Sequence, residues 1–166
     1  LVAKQNWAGL RGMDAELAKA EAGSLLFGSA VRARVQWRLS IGNQNDGRDA
    51  IELLDTLLTR QRTAVHFMLR ASAGALASDT KLAWAAIEEA IRPGRATERV
   101  LINALALGRL LGEPPLQSVV FKQLSVCPGE RLDSIRRAIR PRELDRCIDI
   151  TMLPAVNSII EIEEVR

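Results

Sequence analysis

His66 is the only histidine in this chain of 166 residues, and that narrows the chemistry open to it. A hydrolytic site needs a nucleophile, a base and a group that orients the base. A single imidazole between Val65 and Phe67, in an apolar stretch, suits a structural or groove-edge role better than proton transfer. The paired acids Glu88-Glu89 and Glu163-Glu164 fall on expected solvent faces. Nothing beside them in the sequence would raise a carboxylate pKa into the working range of a catalyst. Neither of the glycine-rich phosphate cradles, GxxxxGKS/T or GxGxxG, occurs. The sequence therefore predicts no catalytic residue, no cofactor and no enzyme activity.

The other concentration of chemistry is cationic. Arg131, Arg136, Arg137, Arg140, Arg142 and Arg146 cluster late in the chain. Arg136, Arg137 and Arg140 fall opposite the apolar Leu132-Ile135-Ile139 stripe, as an anion-binding face would. Glu130, Asp133, Glu143 and Asp145 interleave with them, as on an ordinary solvated helix face. No aromatic alternates with the arginines, so the stacking platform of a single-strand binder is missing. The net charge of +3 is mild for a nucleic-acid partner. Cys127 and Cys147 read as buried thiols, or as one pair across a helical turn-back. No CxxC or Cys/His spacing suggests zinc, and no metal is expected.

These groups must be carried by helices. Hydrophobic residues make up 48% of the chain and charged residues 26%, which is ordinary for a folded domain. No uncharged apolar run approaches the roughly 18–20 residues a membrane span needs. Residues 1–12 are weakly patterned and read as a flexible lead-in. From Met13 to Leu39 the chain reads as helix, with Phe27, Val31, Val35 and Leu39 on one stripe. Gly23 and Gly28 are placed to bend or split it. The run Gly42-Asn43-Gln44-Asn45-Asp46-Gly47 reads as a loop. Further helices are expected at about 48–59, 63–77, 80–92 and 97–111, the third of these capped by Ser78-Asp79. Pro93-Gly94 and Pro128-Gly129 are abrupt stops. Three more helices are expected between Pro114 and Ile148. Residues 149–166 form an irregular tail, in which Ile160-Glu161-Ile162-Glu163 alternates.

Gly74 and Gly108 lie 34 residues apart, and their surroundings align apolar on apolar. Phe67, Ala71 and Gly74 become Leu101, Leu105 and Gly108. Ala50-Leu54-Leu57 becomes Ala83-Ile87-Ala90 and then Gln117-Phe121-Leu124. A period in the mid-thirties within a helical chain marks stacked helical hairpins, each burying a flank its neighbour leaves open. Over residues 48–129 the pattern resembles the tetratricopeptide repeat family. Phe67 matches the aromatic near the start of the first helix, Ala71 the small crossing residue, and Pro93 and Pro128 the closing proline. The chain departs from that pattern at Gln117, where a small residue is usual, and in having no tyrosine. A plain bundle with accidental periodicity is the competing expectation.

The resemblance implies an all-α solenoid of about three antiparallel hairpins over residues 13–148, with a C-terminal capping helix. It also implies a concave groove lined by the first helix of each unit. Arg99, Asn103 and Arg109 would then face a protein or peptide guest, with Met68 added from the helix at 63–77 and His66 at the groove rim. The alternative is that these are ordinary surface and core residues, Met68 in particular filling a gap in the core. The expected function is a non-catalytic, protein-binding module of scaffold or chaperone type. A nucleic-acid binder using the cluster at 131–146 is the alternative. The start at Leu1 rather than Met suggests a fragment. One setting is then the soluble domain of a larger bacterial assembly protein; a cytoplasmic location is favoured, with a periplasmic one open to a fragment.

Overall fold

A computed structural model describes residues 6–22, 27–92 and 96–112. Its elements are α1 (Trp7–Gly12), α2 (Asp14–Ala22), α3 (Phe27–Ile41), α4 (Gln44–Arg60), α5 (Ala64–Leu76), α6 (Thr80–Ala90) and α7 (Glu98–Leu110). Among the described residues there is no strand. The helices expected after Pro114, both cysteines, the arginine cluster and the tail lie outside the described residues.

Two expectations need correction at the N-terminal side. The lead-in assigned to residues 1–12 becomes helical at Trp7, because the Asn6 side chain accepts the Gly9 amide at 3.0 Å and Leu10 is buried beneath it. The polar run 42–47 is mostly helix. Asn43 Oδ1 accepts the amides of Asn45 and Asp46, and Asp46 Oδ2 accepts the Asn43 amide at 2.8 Å. What composition marks as a loop is a capping box, which starts α4 at Gln44. The long first helix is indeed split: α2 ends at Ala22 and α3 begins at Phe27.

Consecutive helices are spatial neighbours. Only Gly42 and Asn43 separate α3 from α4, and three residues separate α4 from α5 and α5 from α6. Such short connections turn helices back on one another. Alternate helices also meet, α3 with α5 and α5 with α7. One apolar core runs through α3 to α7, and includes Val31, Val35 and Leu39 from the predicted stripe. A second, smaller cluster lies on another face of α3, where Ala33 and Trp37 meet Leu10, with Trp7 and Leu17 against them.

The 34-residue period is visible in backbone detail. Helices α5 and α7 each have 13 residues. Thr63 caps α5 by accepting the His66 amide, and 34 residues on Thr97 caps α7 by accepting the Val100 amide. Each helix ends on an α-conformation cap, Ala77 and Leu111. Each cap is followed by a left-handed residue, Ser78 at φ 60° and Gly112 at φ 76°. The amides of Ser78 and Gly112 return to the carbonyls of Ala75 and Arg109. At the first of these ends the Asp79 amide also reaches the Gly74 carbonyl at 2.8 Å, completing a Schellman motif. The same Asp79 then caps α6 by accepting the Leu82 amide. Repetition extends to α4 and α6: Ala50, Leu54 and Leu57, and their counterparts Ala83, Ile87 and Ala90, have no exposed surface.

Helix α5 sits in the middle, packed against α3, α4, α6 and α7. Its run Ala71-Ser72-Ala73-Gly74-Ala75 is small enough for neighbours to come close on several sides. A Cβ at Gly74 would stand 2.9 Å from the Ala83 amide nitrogen and 2.8 Å from Leu82 Cδ2. A Cβ at Gly47 of α4 would stand 2.7 Å from the Ala77 nitrogen. Backbone, unlike a flexible side-chain tip, cannot give way cheaply.

Gly74→Ala should therefore cost about 1–3 kcal/mol by overpacking, despite the roughly 1 kcal/mol of helix propensity alanine brings. Gly74→Leu should unfold the chain. At Gly28 a Cβ would meet nothing nearer than 3.6 Å, so Gly28→Ala should be neutral or slightly stabilising. Ser78→Gly should add about 0.5–1 kcal/mol by relieving the left-handed backbone. Urea unfolding of the variants checks all four.

Candidate binding surface

Three of the residues expected to line a groove are inside the protein. Met68 and Asn103 have no exposed surface, and His66 is 3% exposed. Met68 points into the core that α5 shares with its neighbours. The Asn103 amide donates to the Arg99 carbonyl one turn back at 2.9 Å, so its hydrogen-bonding capacity is spent partly on its own helix. His66 Nδ1 lies 2.8 Å from the Gln61 carbonyl, which makes that nitrogen the protonated donor. Burial pushes the imidazole pKa below its ordinary value, and the nearby Arg32 charge acts in the same direction. His66 is therefore a neutral structural histidine, pinning the α4–α5 connection to the first turn of α5. Met68 thus sits as a gap-filling core residue and His66 as a structural one, both on the enclosed α5, while Asn103 is buried on α7; none of the three reaches the surface of the described residues.

Arg99 and Arg109 are exposed on α7 and already engaged in contacts of their own. Arg136, Arg137 and Arg140 lie outside the described residues. Among the described residues, no three His, Cys, Asp or Glu side chains come together as metal ligands. None of the described helices is long and apolar enough to cross a membrane.

A polar cluster that the sequence did not reveal joins α2 to α3. The Asp14 carboxylate accepts from Arg38 at 2.7 and 3.1 Å, from Trp37 Nε1 at 2.9 Å and from Arg34 Nε at 3.2 Å. Glu21, at the other end of α2, pairs with Arg34. The Arg38 guanidinium also lies 4.3 Å from the centre of the Trp37 ring, and the residue is only 5% exposed. Burial alone would raise the Asp14 pKa, but hydrogen bonds from Arg38, Trp37 and Arg34 outweigh it. They hold the carboxyl well below the usual carboxylate range. Arg34 is likewise held charged, its contacts with Asp14 and Glu21 outweighing burial. An acid fixed in its ionised form has no proton to donate and is too weak a base to take one, so this cluster is mechanical. Since α2 buries no residue of its own, these bonds are its principal attachment. The only local signal is Arg34, Trp37 and Arg38 sharing one side of α3 at helical spacing; their partner is more than a dozen residues upstream.

A second charged region surrounds the turn between α4 and α5. The Arg60 guanidinium lies 4.1 Å from the Phe27 ring centre, and that of Arg62 lies 5.3 Å from Phe67. Arg32 Nε donates to the Gly28 carbonyl at 3.2 Å. Arg70 Nε pairs with Asp55 at 2.6 Å. Two open clefts flank the turn. One, of about 350 Å³, is lined by Ala18, Glu21, Ala22, Phe27, Arg34 and Arg60. The other, of about 370 Å³, is lined by Asp55, Leu58, Thr59, Arg62, Phe67 and Arg70. Both bring an aromatic side chain and guanidinium groups together.

Asp14→Asn should cost about 2–3 kcal/mol, less than the roughly 3–5 of a fully buried pair because the carboxylate is partly solvated. Tryptophan fluorescence during urea unfolding should reveal an early transition as Trp37 loses its cover. For His66 the folded pKa lies below the unfolded value, so the unfolded chain binds the proton first. Stability should be at its plateau above about pH 6.5 and should fall as the pH drops from there towards the folded pKa. His66→Asn, which keeps a donor near Gln61, should flatten that slope in thermal unfolding followed as the pH is lowered from about 7.5.

Comparison with models of known protein families, with curated proteins and with solved structures gives no match.

Proposed function

We propose that this chain is a protein-binding module without catalytic activity, built as an array of tetratricopeptide-like helical hairpins. The observation that carries the reading is the matched pair α5 and α7, alike in length, N-cap, C-cap and left-handed exit at a spacing of 34 residues. The contacts of α3 with α5 and of α5 with α7 support it, since first helices of successive hairpins adjoin in a stacked array. Such arrays present extended, rigid surfaces in place of a deep pocket, and that geometry suits a protein segment. Because Met68 and Asn103 are enclosed, the guest would be met by side chains that reach solvent. On α7 these are Arg99 and Arg109, whose planar forks suit carboxylates.

The test is affinity capture from a lysate treated with nuclease, with the immobilised chain and an Arg99→Ala/Arg109→Ala variant. A defined set of proteins should be retained by the first and reduced by the second at equal helicity. Capture that survives the double substitution would rule out the α7 face. Loss of all capture after nuclease treatment would favour the nucleic-acid alternative instead.

A further inference from the structure

We infer that the turn between α4 and α5 is a docking surface for an acidic peptide segment that also carries aliphatic side chains. The inference rests on the protein-binding reading above and gives it a second location and a partner chemistry. Arg60, Gln61 and Arg62 are consecutive and exposed. Among the described residues, the Arg60 and Arg62 side chains make no hydrogen bond or ion pair beyond their ring contacts with Phe27 and Phe67, so neither meets a carboxylate. A guanidinium laid on an aromatic ring is held in place while its N–H edges stay open. That is pre-organisation for bidentate binding of an oxyanion, because the side-chain entropy is already lost before the guest arrives.

Arg32 belongs to the same surface. It is exposed, it is bonded to the Gly28 carbonyl, and Gly28 lies against the Gln61 side chain, where a Cβ would be 3.6 Å from Gln61 Oε1. The two acids nearby are already neutralised, Asp55 by Arg70 and Glu21 by Arg34. Arg32, Arg60 and Arg62 are thus three cations without an opposing carboxylate among the described residues.

The surroundings choose between oxyanion carriers. A nucleic-acid strand brings a charge at every phosphate, whereas this surface offers three spaced cations beside partly apolar clefts. It also seeks open aromatic faces for its bases, and here both rings are covered by guanidinium groups. A peptide with spaced carboxylates can place them on Arg60 and Arg62 and lay aliphatic side chains along Ala18, Ala22 and Leu58 in the clefts. Charge complementarity and the mixed lining therefore fit an acidic, partly apolar segment.

The experiment is fluorescence anisotropy with a labelled synthetic peptide of alternating glutamate and leucine, titrated with the full chain at low salt. Saturable binding is expected. The Arg60→Ala/Arg62→Ala variant should weaken it at least about tenfold, because two charge-assisted contacts are lost. Since those changes uncover Phe27 and Phe67, the Arg60→Lys/Arg62→Lys variant is measured beside it. Lysine keeps the charge and the aliphatic cover but not the fork, and an intermediate loss is expected. Arg48→Ala, an exposed arginine elsewhere on α4, should bind as the parent does. The inference is overturned by no binding, by equal binding to the folded Arg60/Arg62 variants, by equal binding of a glutamine-for-glutamate peptide, or by tighter binding of a single-stranded oligonucleotide. Failure here with successful capture through Arg99 and Arg109 would sink this site alone. Failure of both would sink the protein-binding reading.

Discussion

One helix rich in small residues holds the described part of this molecule together. Eleven of the thirteen residues of α5 are buried. A helix can be enclosed on nearly every side only if its neighbours approach closely, and Ala71, Ala73, Gly74 and Ala75 permit that approach. The remaining elements follow from it. α6 turns back through Ser78 and Asp79 to lie over Gly74, and Gly47 lets α4 come in under the end of α5. Larger residues on those neighbours, Leu54, Leu57 and Ile87, then fill the space that α5 leaves. Small-against-large packing of this kind keeps interior density high without strained rotamers.

Much of this was legible in the sequence because it is local. The cap at Asp79 satisfies a first-turn amide three residues ahead, so a window of a few residues contains everything needed to see it, and the helices that Thr63 and Thr97 cap are expected from the sequence to begin at about those residues. The 34-residue period showed in the residue types because the same packing positions recur. The capping box at Asn43 was misread for an instructive reason: Gly, Asn and Asp serve both loops and helix starts, and composition cannot separate the two uses. The apolar surroundings of Met68 and His66 point to core and structural roles, but the burial of Asn103 was not legible. Helical spacing tells which residues share a face but not how many neighbours cover that face. Still less could spacing reveal Asp14, whose partners Arg34, Trp37 and Arg38 are distant in sequence and meet it only after α2 folds back on α3.

The two charged regions divide cleanly by what their cations face. Arg34 and Arg38 point at carboxylates of their own chain and are partly or wholly buried, so they fix α2 in place. Arg60 and Arg62 are exposed and lie on aromatic rings, with no carboxylate against them among the described residues. The same residue type thus has a structural role at one end of α3 and, in the docking surface proposed above, meets a guest at the other. Exposure and pairing decide which, and charge alone does not.

The enclosed position of α5 has a direct consequence for native-state hydrogen exchange. If α5 is the axis on which the other helices pack, its amides open only when the whole chain unfolds, and they should exchange slowest of all, well behind those of α2. Amides of residues 66–76 that exchange as fast as those of residues 16–22, under conditions where the chain is folded, would contradict the account at its centre.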